Sequence, residues 1–524
     1  MRKLILFSAA FLSAIGLYAQ QITGTVTDAA TGKPLSGVNL QLLETNIGTT
    51  TDYYGKYVLE PQLKSSYLLK VSFVGYQTVR KAISISTEDI LMDIQLAEST
   101  ELLEAVNIMS VRAADNTPIA KTNLNKAEIE SKDDGRDVPF ILKDLPNTVV
   151  SSDAGNGVGY TGIRIRGNDI SRINVTVNGI PMNDPESHGV FWVNMPDIAS
   201  STNSLQVQRG VGTSTNGAGA FGASINMQTT SLNTQPFARA EFSGGSFNTF
   251  KRNVQLNSGL LNNHWLVEGR LSQITSDGYI DRASSDLTSY YLSGSYYSDN
   301  TSVQFIHFGG HEKTYQSWWG VPEVKLNNDK AGMTAYYYNN GLTRSDSINL
   351  FNSDSRTYNY YTYKNETDNY WQDHYQLHLS HRFSNNFKAN LALHHTYGRG
   401  YYEQYRNDDD LADYGLNNVV LGTDTISSTD LIRRRWLHNT FTGLTYSFEY
   451  NKKRMNLLLG GAYNVYDGDH YGEIIWAEYA SNSKIRDRYY DNKSIKKDFN
   501  TYLKSTYNFN KLSLFADLQF RAIN

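Results

Sequence analysis

The sequence predicts a mainly-β protein: a small β-sandwich, then a mixed α/β domain, then a partial antiparallel transmembrane β-barrel. Three observations predict it. Turn residues punctuate short alternating strands up to residue 97. Helix caps and strands mix between residues 115 and 230. From residue 236 to 524, polar and apolar residues alternate in runs near the length of a tilted membrane strand, roughly 9–11 residues.

The chain of 524 residues has room for two to four domains. Mean hydropathy is -0.47. The only strongly apolar run spans residues 4–17, too short for a helical span. A β-barrel escapes that test, because only alternate residues of its strands face lipid. Tyrosine, with 37 copies against 21 Phe and 7 Trp, suits surfaces that are half apolar and half wet. The net charge of -4 argues against a nucleic-acid partner. With no cysteine, disulfides, thiolate zinc sites, a Cys nucleophile and a lipoprotein anchor are excluded.

Arg2 and Lys3, the apolar run and Ala19 before Gln20 read as a secretory signal, residues 1–19. An N-terminal membrane anchor is the competing reading. Residues 20–97 form the sandwich, with strands expected at 22–28, 37–43, 57–59 and 67–74 and turns at 31–34 and 52–55. Its phrases GTVTDAATGKPLSGVNLQL, TTTDYYGKYVL and FVGYQTV resemble the carboxypeptidase-regulatory-like domain, which has no catalytic residues of its own.

Residues 98–114 read as a linker with an apolar patch. Such a peptide can add a strand to another protein's sheet edge. It could equally be the first strand of the next domain. Residues 115–230 hold a helix near 125–131, a second at 138–145 capped by Asp137, and strands at 162–166, 173–178, 204–209 and 222–229. Four blocks follow in fixed order: GIRIRGN from Gly162, VTVNGIP from Val175, LQVQRG from Leu205 and NGAGAFGASIN from Asn216. They resemble the plug of TonB-dependent outer-membrane receptors, on Arg164, Arg166, Gly167, Asn178, Gly179, Arg209, Gly210, Gly219 and Gly222. Asn178 and Gln206 stand where that family commonly has acids, so ion pairs there are in doubt. The resemblance makes the linker residues Leu102, Leu103, Glu104, Ala105, Val106, Asn107 and Ile108 a candidate TonB box.

The barrel reading stands on residues alone. Phe387, Ala389, Leu391 and Leu393 share one face, and Lys388, Asn390 and His394 the other. Tyr375, Leu377 and Leu379 oppose His374, Gln376 and His378 in the same way. Eleven strands are expected, beginning near residues 236, 249, 264, 289, 302, 371, 386, 434, 454, 498 and 511. Tight connections at 261–263, 298–300, 384–386, 451–453 and 508–510 alternate with mostly long ones at 275–288, 314–370, 400–433 and 467–497, only the first, at 244–248, being short; this is the pattern of outer-membrane barrels. Because such barrels have even strand numbers, the sequence is expected to be C-terminally truncated, carrying the N-terminal half of a barrel that is monomeric when complete.

Motifs that suggest other chemistry fail on geometry. Both GxGxxG phrases, from Gly157 and from Gly217, run into strands and not helices, so they are no dinucleotide site. His394 and His395 point to opposite faces of a strand and cannot share a metal ion. Asp408 to Asp410 reads as a solvated loop or a weak calcium contact. Arg433 to Arg435 reads as a strand boundary or a lipid head-group contact. No catalytic set, metal site or cofactor is expected, and the chain is read as a non-enzyme.

The segments GHEKTYQSWWGVP from Gly310 and TSDGYIDR from Thr275 resemble loops of this receptor family in Bacteroidetes-type bacteria. Tyr315, Trp318 and Trp319 could stack on a ligand there, or pack as an aromatic girdle. Residues 155–160 and 183–192 would be the apical plug loops, so Tyr160, His188 and Trp192 are further candidate ligand contacts. The resemblance implies an outer membrane, outer-membrane lipid around the strands, and TonB with its inner-membrane motor proteins as partner. It also implies import of a scarce small molecule. The phrase GAGAFGASINM is more like importers of siderophores, haem and cobalamin than glycan importers, so a ferric siderophore or similar metal chelate is expected. Cobalamin, an oligosaccharide or a peptide are the alternatives. A surface binding or signalling receptor that does not transport is the rival of another class.

Overall fold

The computed structural model describes residues 21–61, 66–73, 75–84, 89–97, 109–114, 117–217, 221–229, 232–233, 235–509 and 512–524. The expected signal peptide and TonB box lie outside them. The chain divides into two compact units, one holding the N-terminal residues up to Glu104 and the other most of the remainder.

The N-terminal unit is a sandwich of two four-stranded sheets. Ile22–Asp28 pairs antiparallel with Lys56–Leu59 and parallel with Ile90–Leu91 and Ile94–Leu96. The other sheet runs Gly48–Thr50, Asn39–Leu42, Ser66–Ser72, Val79–Ser84. Alternation buries Ile22, Val26, Leu40, Leu42, Leu69 and Val71 between the layers.

In the second unit, the plug is built on a five-stranded sheet in which Ile173–Val177 runs parallel to Ala223–Gln228. Ser204–Arg209 pairs antiparallel with Ala223–Gln228 and with Lys121–Asn125. The helix Lys126–Lys132 starts at a capping box, with Asn125 accepting from the Glu128 N–H and the Glu128 carboxylate accepting from the Asn125 N–H. The second helix is shorter than expected, Val138–Ile141. Asp137 precedes it but does not cap it, because its carboxylate accepts from the Thr161 hydroxyl at 2.8 Å instead. Gly222 joins two of the plug blocks: a Cβ there would lie 2.6 Å from Asn168 Cβ.

The barrel sheet has eleven antiparallel strands in chain order: Pro236–Gly245, Thr249–Ser258, Trp265–Ser276, Ser285–Tyr297, Thr301–Tyr315, Thr367–Ser384, Phe387–Asp410, Ser428–Lys452, Met455–Ala477, Arg488–Phe509 and Leu512–Ile523. Its polarity is inverted relative to a water-soluble protein. Leu377, Leu379, Leu391 and Leu393 are 41–46% exposed, while His374, Gln376, His378, Asn390 and His394 are at most 9% exposed. Register pairs Leu377 with Leu393 and Leu379 with Leu391, so the leucines form a continuous outward band. Greasy outside and polar inside is the arrangement hydrocarbon requires.

Two expectations change. The strands overrun the long loops: Phe387–Asp410 has 24 residues and Ser428–Lys452 has 25, so Asp409, Asp410 and Arg433 to Arg435 belong to the ladder, with Asp408 on a bulge within it. A strand of that length reaches roughly 80 Å, far beyond what lipid demands. The connection after Tyr315 also carries helices, Glu323–Leu326, Lys330–Asn339 and Arg344–Asn352. The last two are capped by the side chains of Asp329 and Thr343.

Candidate functional site

The plug loops after Thr148–Ser152 and Ile180–Pro181 meet the lumen face of the strands around a cavity of about 530 Å³. Asp153, Tyr160, Asn183, Asp184 and Phe191 come from the plug. Glu312, Asp368, His374, Arg435, Trp436 and Tyr466 come from the wall. Aromatic side chains dominate: Trp318 meets Tyr160 edge-on, with ring centroids 5.6 Å apart, and Tyr402 at 5.4 Å.

Polar links tie floor to wall. The Tyr160 hydroxyl donates to Asp368. Burial first, then the carboxylates of Asp368 and Glu312, push this phenol well above its ordinary range, so it stays a donor. Glu186 accepts from the Tyr466 hydroxyl at 2.9 Å and pairs with His470 at 2.7 Å. Burial alone lifts the Asp153 carboxyl to about 6.

Of the residues singled out in the sequence, Tyr160 and Trp318 line this cavity. His188 turns aside, at 2.9 Å from Lys496 Nζ. Trp192 is buried in the plug core with Met195 and Ile198, because its short 3-10 turn points the indole inward. The Tyr315 hydroxyl donates to the Tyr363 carbonyl. Trp319 stacks on Tyr360 at 5.1 Å and is 58% exposed. Sequence reading missed Asp153, Arg435 and Trp436. The adjacent aromatics Tyr401 and Tyr402 are the sequence signal that could have pointed to a wall of this kind. Among the described residues, no three His, Cys, Asp or Glu side chains are placed to hold a metal ion.

The plug blocks act structurally. Gly167, Gly179 and Gly210 adopt positive φ, as do Arg166 and Asn178. Arg209 donates to the Thr122 hydroxyl at 2.7 Å, and Arg164 is exposed on its strand. Gly219 lies outside the described residues. Where acids are common, amides make neutral bonds. Asn178 accepts from the Thr229 N–H at 2.9 Å and donates to Thr229 Oγ1 at 2.9 Å. Gln206 accepts from the Ala113 N–H at 2.8 Å and donates to the Ala113 carbonyl at 3.0 Å. Gln208 donates to the Val111 carbonyl at 3.1 Å, so two amides hold the C-terminal end of the linker.

Comparison with known proteins agrees with this arrangement. Residues 113–224 match the TonB-dependent receptor plug domain and residues 22–108 the CarboxypepD_reg-like domain. The chain is similar to TonB-dependent receptors over these two regions. That family is one of receptors and transporters, not enzymes. The TonB-dependent receptor SusC of Bacteroides thetaiotaomicron is 29% identical over 216 residues, covering 38% of this chain and 20% of SusC. The ferric-catecholate import receptor Fiu of E. coli K12, in its open form, superposes with a TM-score of 0.56 at 15% identity, covering 78% of this chain and 60% of Fiu. The ferripyoverdine receptor of Pseudomonas aeruginosa, from its outer membrane, gives 0.56 at 13% identity, covering 86% and 60%. The chain thus spans a fifth of the curated relative and three-fifths of these two structures.

Proposed function

We propose that this receptor captures a scarce ligand in the outer membrane and passes it inward when TonB, driven by its inner-membrane motor proteins, pulls on the linker. One observation carries this reading: the cavity is floored by the plug itself, so a bound ligand touches the element that must move. The proposed handle is Leu102, Leu103, Glu104, Ala105, Val106, Asn107 and Ile108. It directly precedes the segment that Gln206 and Gln208 grip. A secretory signal and a periplasmic N-terminal sandwich complete the proposal.

The ligand we propose is a ferric siderophore or similar metal chelate. A compact, aromatic-walled cavity suits a ring-bearing molecule of that size. Cobalamin, an oligosaccharide or a peptide are the alternatives. Deleting residues 101–108 from the intact receptor tests the mechanism. Uptake is expected to vanish while surface binding persists. Uptake that continues would overturn it, and binding without uptake in the unmodified receptor would favour the non-transporting receptor.

A further inference from the structure

Resting on that import reading, we infer that the cavity admits ligands without net negative charge, and that Asp153 is the plug residue that sets the preference. Four carboxylates line the cavity, those of Asp153, Asp184, Glu312 and Asp368, against the single guanidinium of Arg435. Arg435 is already engaged. It lies over the rings of Tyr402 and Tyr490, 5.7 and 5.5 Å from their centroids, and donates to the Tyr490 hydroxyl at 3.2 Å. His374 and His470 are the other titratable groups on the wall besides tyrosines, and His470 faces Glu186.

Three of the acids have partners. Asp368 accepts from Tyr160, Glu312 from Thr314, and Asp184 from the N–H groups of Glu186 and Ser187. Asp153 differs. Its backbone N–H donates to the Tyr160 carbonyl, which fixes the residue at the cavity, but its carboxylate has no hydrogen-bond or ion-pair partner among the described residues. Burial has stripped part of its water without a replacement, and its carboxyl rises to about 6 for that reason alone. A ligand hydroxyl or ammonium would supply the missing donor. An anionic ligand would add like-charge repulsion in a medium of reduced dielectric. A chelate that fits is therefore neutral or cationic, with hydroxyl or ammonium donors and planar or apolar faces for Trp318 and Trp436.

No residue lining the cavity is a cysteine, so Phe191→Cys adds a thiol there, read against the unmodified receptor as background. The side chain replaced is 42% exposed, and Leu437→Cys on the wall is a second site. In the intact receptor, a cationic methanethiosulfonate should outpace an anionic one by at least about fivefold beyond their ratio on a free thiol. Adding Asp153→Asn should cut that excess by about half or more. No excess, or one that Asp153→Asn leaves unchanged at both positions, overturns the inference. A second measurement follows tryptophan fluorescence with a neutral ferric trishydroxamate and an anionic ferric triscatecholate. Tighter binding of the anionic chelate overturns the charge preference. If neither chelate binds while the reagent ratio holds, the charge preference stands and the chelate reading fails.

Discussion

The two flanks of the plug are held by different chemistry. Toward Thr249–Ser258 and Trp265–Ser276 the plug offers Asp197, a buried carboxylate. It takes Lys251 Nζ at 2.6 Å, Arg270 Nη1 at 3.1 Å and Asn253 Nδ2 at 2.6 Å. Toward Arg488–Phe509 and Leu512–Ile523 it offers mostly backbone. Lys504 donates to the Ser110 carbonyl at 2.8 Å, Gln519 to the Thr215 carbonyl at 3.1 Å, and Asp517 accepts from the Ser214 N–H at 2.8 Å. Parting the first flank strands buried charges on both sides. Parting the second exchanges hydrogen bonds that water can replace. The contrast assigns strength to one flank and ease of release to the other, and the easy flank is the one beside the linker.

The comparison breaks first, if it is wrong, at Asp197. Asp197→Ala leaves Arg270 buried without a counter-charge and Lys251 with Asp133 alone at 3.0 Å, and the expected loss is about 3–5 kcal/mol. Protease resistance of the plug in the intact receptor reads it out. An unchanged digestion pattern would remove the ionic flank from the account. Acid should loosen the same flank. Burial tends to raise this carboxyl, but Arg270 and Lys251 outweigh it and hold it down to about 2, below its ordinary 3.8. A depressed carboxyl stabilises the fold above its unfolded value and stops doing so as pH falls through the folded one. About 2 kcal/mol is therefore lost between pH 4 and pH 2, and Asp197→Asn should flatten that part of the profile.

A smaller effect is expected at the amide grip on the linker side. Gln206→Glu can still accept from the Ala113 N–H, but it cannot donate to the Ala113 carbonyl or to Asn123. Leaving buried acceptors unserved costs about 1–3 kcal/mol. The measurable result is faster cleavage near residues 109–114, with the far flank unaffected. Equal protection in both proteins would mean that the grip adds nothing.

How much of this was legible depended on which force wrote the signal. Strands that follow tight turns begin within one residue of expectation, at Trp265, Thr301, Phe387, Met455 and Leu512, because Asn, Asp and Lys mark those turns locally. Strands that follow long connections begin four to ten residues early, at Ser285, Thr367, Ser428 and Arg488. There the ladder outruns the lipid, and alternation fades while backbone pairing continues. The plug blocks were readable because their glycines answer to backbone geometry within a few residues. The cavity was not. Asp153 and Arg435 are far apart in sequence and share it only because the plug loop seats against the lumen face of the barrel strand. Trp192 looked like a loop aromatic, but its short 3-10 turn seats it among core residues.

The weakest expected effect tests the other flank most directly. Lys504 is only 7% exposed and spends its ammonium on the Ser110 carbonyl, near the C-terminal end of the linker. Lys504→Met keeps the length and apolar stem of the side chain and removes the charge. A buried cation bound to one carbonyl gains little over a well-packed apolar replacement, so global stability should change by no more than about 1 kcal/mol in either direction. Release should change more than stability does. With the Lys504 bridge from strand Arg488–Phe509 to residue 110 gone, the linker end should become more accessible to protease while the Asp197 flank stays protected. If Lys504→Met instead destabilises the plug as severely as Asp197→Ala, the two flanks are equivalent anchors and the contrast between them fails.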